Sequence, residues 1–215
     1  MTETTQTPAR FAKALLIRCR GASKRDRTRA RLQAAMAELL DDRPPADLKV
    51  ADICRVAGSA HGTFYTYFPD IRGALADTLL EFITFLQGEM RQAARNGPTP
   101  EDRSRRSTAA YLDLFAANRG LMRCLVTRLD AFPEASAAFQ RLNRDWAETV
   151  ADAWGRRGAT SRDELLRRAY ALGGMVDQYL IMLHFGDDPT LAALSQDRTA
   201  LIETLSHIWE RGMTG

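Results

Sequence analysis

Apolar residues in this chain recur three and four positions apart from one end to the other, while strand-like runs are nearly absent. Such spacing collects side chains on one face of a helix. The chain therefore reads as all-α, with about nine helices. Leu32, Met36, Leu39 and Leu40 mark a first helix, which Pro44 and Pro45 end. Two short helices follow, near Val50 to Ala57 and His61 to Phe68, with Gly58 between them. Pro69-Asp70 then opens a long helix whose stripe is Leu75, Leu79, Phe82, Leu86 and Met90, running to the breakers Asn96-Gly97-Pro98. Further helices carry Tyr111, Leu114 and Phe115, then Leu121, Met122, Leu125 and Leu129, then Phe139, Leu142, Trp146 and Val150. Two more span about 161 to 185 and the stretch around Leu201, Leu205 and Trp209.

Charge narrows the choice of partner. Net charge is only +3, but Arg10, Lys13, Arg18, Arg20, Lys24, Arg25, Arg27, Arg29 and Arg31 face a single acid, Asp26, in the same stretch. A block of this kind attracts phosphate and releases counterions; the alternative is a solvated basic tail. No apolar run approaches the roughly 20 residues needed to cross a bilayer, and no secretory leader is visible, so the cytoplasm is the expected compartment. Cys19, Cys54 and Cys124 are too scattered for a metal or redox motif and read as free thiols. No cofactor or metal is expected. His61, His184 and His207 fall on separate helices, and no phosphate-binding glycine loop, GxSxG or HExxH is present, so an enzyme is not expected.

An amphipathic helix followed by two short helices around a glycine turn is the helix-turn-helix pattern. Ile53, Val56, Ala57, Phe64 and Phe68 supply its packing face, leaving His61, Thr63, Tyr65 and Tyr67 for a groove. The stretch from Val50 to Leu75, VADICRVAGSAHGTFYTYFPDIRGAL, resembles the TetR family signature, with Asp-Ile, Ala-Gly, Gly-Thr-Phe-Tyr and Tyr-Phe at matching spacing. The resemblance is detailed from roughly Arg27 to Leu80. More weakly, LLDDRPPAD and Ser206 to Trp209 are similar to the mycobacterial branch of ethionamide-resistance repressors.

The resemblance implies a basic N-terminal arm over 1–22, a three-helix DNA-binding domain over 23–70 and a helical ligand-sensing and dimerisation domain over 71–215. It implies DNA contacts from Thr63, Tyr65 and Tyr67, with His61 and Gly62 close to base edges or backbone. We expect His61 and Thr63 to read bases and Lys49, Tyr65 and Tyr67 to position phosphates; the alternative for both tyrosines is that their rings fill the three-helix core. Arg27 and Arg29, with Arg25, are expected to reach a minor groove. Three departures stand out. Lys49 replaces the usual capping Ser or Thr, Ala60 replaces the Ser that opens the recognition helix, and Ile71 replaces a phosphate-gripping lysine. Ser59 and Arg72 are the nearest substitutes for the last two.

For the second half the resemblance implies a homodimer through the last long helices, for which Tyr179, Met182, Leu201, Leu205 and Ile208 are the candidate residues. Candidates for a ligand pocket are Tyr111, Phe115, Met122, Phe139, Trp146, Ile181 and Trp209, with Asp177 and His184 sharing a helix face as polar groups. The same aromatics would serve equally as core. The expected function is a sequence-specific transcriptional regulator, a repressor released from double-stranded operator DNA by a small, largely apolar effector. The alternative is a ligand-independent architectural or division-control protein on the same fold.

Overall fold

The computed structural model describes residues 10–95, 97–127, 130–156, 158 and 160–214. Asn96, Leu129 and the first nine residues of the expected arm lie outside the described residues. Eleven α-helices and no strand occur among the described residues. In chain order they are α1 (Phe11–Arg18), α2 (Lys24–Asp42), α3 (Val50–Val56), α4 (His61–Tyr67), α5 (Ile71–Arg95) and α6 (Pro100–Ala117). The remaining five are α7 (Arg119–Thr127), α8 (Pro133–Gly155), α9 (Arg162–Phe185), α10 (Pro189–Leu194) and α11 (Arg198–Thr214).

Two helices exceed the sequence expectation. The first, α1, occupies what reads as a basic arm. Its Phe11, Ala12 and Leu15 are buried, the Phe11 N–H donates to Asn118 Oδ1 at 2.8 Å, and the Phe11 ring lies 5.5 Å from Phe82. The stretch from 11 to 18 is therefore packed structure rather than arm. The second, α10, is a short helix capped by Asp188, whose Oδ1 accepts from the N–H groups of Thr190 and Leu191.

The described chain forms two compact units. One holds the residues up to Phe85 together with Asp113–Ala135; the other holds Leu86–Leu112 and Ser136–Gly215. In the first unit, Ser23 caps α2 by accepting from the Asp26 N–H. Leu32, Met36 and Leu40 on α2, Ile53 on α3 and Phe64 and Phe68 at α4 are all fully buried, and α3 packs against both α2 and α4. Val56, expected on that packing face, is 39% exposed. Gly58 turns the chain with φ +61°, a left-handed conformation that costs other residues about 1–2 kcal/mol. Asp70 caps α5 by accepting from the Gly73 N–H at 2.7 Å. The stripe Leu75, Leu79 and Phe82 is buried as its spacing predicts.

In the second unit α9 and α11 pack together. Arg168 of α9 reaches the Gly212 carbonyl at 3.3 Å. Leu165, Ala169, Val176 and Leu180 on α9 and Leu201, Leu205 and Trp209 on α11 are buried.

Candidate nucleic-acid interface and ligand cavity

The helix-turn-helix presents one open row on α4. His61, Gly62 and Tyr65 are exposed, Thr63 and Tyr67 half-buried. Tyr65 is 54% exposed with its ring 5.7 Å from that of His61, so it does not fill the three-helix core. Phe64, between them in sequence, takes that place at 0% exposure. The buried Cys54 thiol of α3 donates to the His61 carbonyl at 3.9 Å, joining the two short helices beside the turn.

Neither short helix has a side-chain cap. Lys49 is the N-cap of α3 and Ala60 that of α4, without a capping hydrogen bond at either. Ser59 does not take over as cap; its own N–H donates to the Cys54 carbonyl at 2.9 Å. Arg27 and Arg29 lie on α2, not on an arm. Arg27 donates to the Ala22 carbonyl at 2.6 Å, while Arg29 pairs with Asp77 at 2.7 Å and lies over the Phe68 ring. Arg72, at the start of α5, is exposed and donates to the Ala131 carbonyl at 3.1 Å.

The second unit holds a cavity of about 330 Å³, partly open to solvent, between α6, α8, α9 and α11. Four of the expected pocket residues, Tyr111, Trp146, Asp177 and Trp209, line it together. Phe115 and Met122 are fully buried in the first unit instead. Phe139 is buried elsewhere in the second unit, and Ile181 and His184 do not line the cavity. On α9, Asp177 follows Tyr170, Gly173 and Gly174 at three- and four-residue steps, one face of a helix. Sequence reasoning missed Tyr170 and Gly173, while Gly174 is a position from which a larger side chain is expected to fill the pocket. The signal was the glycine pair, since a mid-helix glycine costs about 1 kcal/mol relative to alanine and marks a wall that must stay thin. A Cβ at Gly173 would stand 3.3 Å from the Trp146 ring, whereas one at Gly174 would meet nothing within 4 Å.

The Tyr111 hydroxyl donates to Asp177 Oδ1 at 2.7 Å. Burial, reinforced by the adjacent carboxylate, pushes the Tyr111 pKa well above its ordinary value. Burial also pushes the Asp177 carboxyl up, and the tyrosine hydrogen bond partly opposes this. A second hollow of about 190 Å³ shares Met90, Ser107, Leu142 and Trp146 with the first.

The expected interface residues separate into three sets. Leu201 and Leu205 are interior to the second unit at 8% and 2% exposure, because α9 and α11 of one chain already bury them. Met182 and Ile208 are exposed. Tyr179 hydrogen-bonds Ser195 at 2.7 Å, tying α9 to the end of α10.

No family model matches the chain. The HTH-type transcriptional regulator EthR of Mycobacterium tuberculosis is 28% identical over 189 residues, covering 85% of each chain. EthR of Mycolicibacterium smegmatis is 24% identical over 195 residues, covering 88% of each. Among solved structures, a TetR-family transcriptional regulator from Bordetella parapertussis superposes with a TM-score of 0.63 at 21% identity, over 84% of this chain and 93% of that one. The chain has the TetR-family fold. The fatty acid degradation regulator FadR from Bacillus halodurans is also similar, with a TM-score of 0.67 at 14% identity over 85% of this chain and 94% of that one. FadR from Bacillus subtilis, solved in complex with stearoyl-CoA, gives 0.64 at 13%, over 85% and 97%.

The named relatives and these neighbours are transcriptional regulators rather than enzymes. No helix among the described residues is long and apolar enough to cross a membrane. No group of three metal-ligating side chains occurs among them either.

Proposed function

We propose that the protein is a cytoplasmic, homodimeric repressor that binds operator DNA through α4 and leaves it when a small, largely apolar ligand fills the cavity of the second unit. The open row on α4 carries this reading. It joins hydrogen-bonding and aromatic groups without a negative charge, on a helix held from behind by the buried Phe64. In this reading His61 and Thr63 meet base edges, Gly62 allows close approach of the strand, and Lys49, Ser59, Tyr65, Tyr67, Arg27 and Arg72 meet phosphates. Arg29 supports the site from α2 through its pair with Asp77. One short recognition helix offers too little area alone, so two protomers read two half-sites; of the expected interface residues, Met182 and Ile208 are exposed and available for their contact.

The roughly 330 Å³ cavity supports a ligand-responsive regulator over the ligand-independent architectural reading. The continuous helix α5 supplies residues to both compact units and is the proposed route of coupling. Selection of bound fragments from random genomic DNA, followed by titration of the recovered duplex at rising salt, tests the proposal. The expected result is a roughly palindromic site bound by a dimer, with affinity falling steeply as salt rises. A monomer indifferent to duplex DNA overturns it.

A further inference from the structure

Among the described residues, the cavity of the second unit has one acidic group in its wall, Asp177. Asp177 receives the Tyr111 hydroxyl on Oδ1, and no ion pair among the described residues includes it. A phenol that stays protonated supports the carboxylate without neutralising it and opposes the burial that favours the protonated form, and a cation brought beside Asp177 would favour the ionised form further. Around it the cavity is aromatic, with Tyr170, Trp146 and Trp209 also in the lining. Ring faces attract cations through their quadrupole, more strongly where water is excluded. The basic side chain in the described lining, Arg144, is exposed on α8 and its charge is screened by solvent. A neutral occupant without a hydrogen-bond donor would strip water from Asp177 and return nothing to it, and a neutral donor would leave the charge itself uncompensated.

We propose that the cavity takes a protonated arylalkyl amine, whose ammonium N–H groups donate to Asp177 while its apolar substituents lie against Trp146 and Trp209. Gly174 leaves the space beside the carboxylate open. Chemistry within the reading above is thereby narrowed from apolar ligands in general to apolar cations. The inference rests on this cavity being the effector site only for its regulatory meaning; the choice of ligand rests on the residues themselves.

Dibenzylamine and dibenzyl ether, nearly equal in shape, separate the two demands. Calorimetric titration of the full chain should show the amine binding at least about tenfold more tightly than the ether. Asp177→Asn should abolish that preference, and Tyr111→Phe should keep it, because the charge stays. Equal binding of amine and ether, a preference that survives Asp177→Asn, or no binding of either compound overturns the proposal. The amine-to-ether ratio in the unsubstituted protein decides even where a variant fails to fold. Operator affinity is measured separately. An amine that binds with the expected preference yet leaves DNA affinity unchanged removes the effector reading and leaves the ligand class standing.

Discussion

Trp146 stands edge-on to Trp209, with ring centroids 4.9 Å apart and planes at 86°. The pair joins α8 to α11 in the cavity wall, and such contacts are worth about 0.5–1.5 kcal/mol beyond the area they bury. Trp209 is 2% exposed and Trp146 half-buried. Trp209→Ala should therefore cost about 3–5 kcal/mol in urea unfolding. Trp146→Ala should cost less and leave a larger, still folded cavity.

The groove-facing row predicts two kinds of loss. His61→Ala and Thr63→Ala should each cost about 1–3 kcal/mol on the preferred operator and relax its sequence preference. Lys49→Ala should weaken all duplexes alike and flatten the salt dependence. Competition titrations against scrambled duplexes check this, and equal losses everywhere would remove the base-reading role.

Asp177 gives a signed dependence on pH. Its carboxyl is held above the ordinary value in the folded state, so the folded chain holds the proton more tightly than the unfolded one. The resulting stability is fully present below the unfolded pKa and is lost as pH rises through the folded pKa. Asp177→Asn keeps an acceptor for Tyr111 and removes the charge. It should raise the melting temperature near neutral pH and have a smaller effect in mild acid, as differential scanning calorimetry can record.

Filling the cavity from within should mimic the ligand. Gly174 lines the cavity, with open space where its side chain would begin. Gly174→Trp should lower operator affinity by roughly 5–150-fold, the usual range of coupling between sites, with helicity and dimer intact. Unchanged DNA affinity in a folded, filled variant counts against coupling through α5.

Glycines predict opposite outcomes in the first unit. A Cβ at Gly62 meets nothing within 4 Å, so Gly62→Ala should keep its melting temperature while altering DNA binding. A Cβ at Gly120 would collide with the Leu40 carbonyl of α2, so Gly120→Ala should destabilise by about 1–3 kcal/mol or more. Thermal unfolding of both variants side by side tests the contrast.

Much of the fold was legible because α2, α4 and α5 bury the stripes that their spacing displays. Helix α1 was not, since Lys13 and Arg18 interrupt a short apolar face whose partners, Phe82 and Asn118, are remote in sequence. In the cavity, Tyr111, Trp146, Asp177 and Trp209 were legible as bulky or polar groups on apolar helices. Phe115 lies four residues after Tyr111 on the same stripe of α6, but the helix changes packing partners between them, at the division after Leu112. Periodicity tells which face is buried and not against what. Gly173 mattered for the volume it leaves beside Trp146, which a search for large side chains passes over.

Gly120 also limits how the first unit can move. Its N–H donates to Asp41 Oδ1 at 3.1 Å, and Arg123, one turn on, donates to the Leu40 carbonyl at 3.0 Å. A slide of α7 along α2 by one turn would bring Arg123 or Cys124 to a place where no side chain fits. The two helices thus share a single register and open only by separating. Their amides should then exchange with deuterium as one cooperative group, and any displacement arriving at α7 reaches α2 undiminished, as rotation of a locked pair rather than as slippage within it.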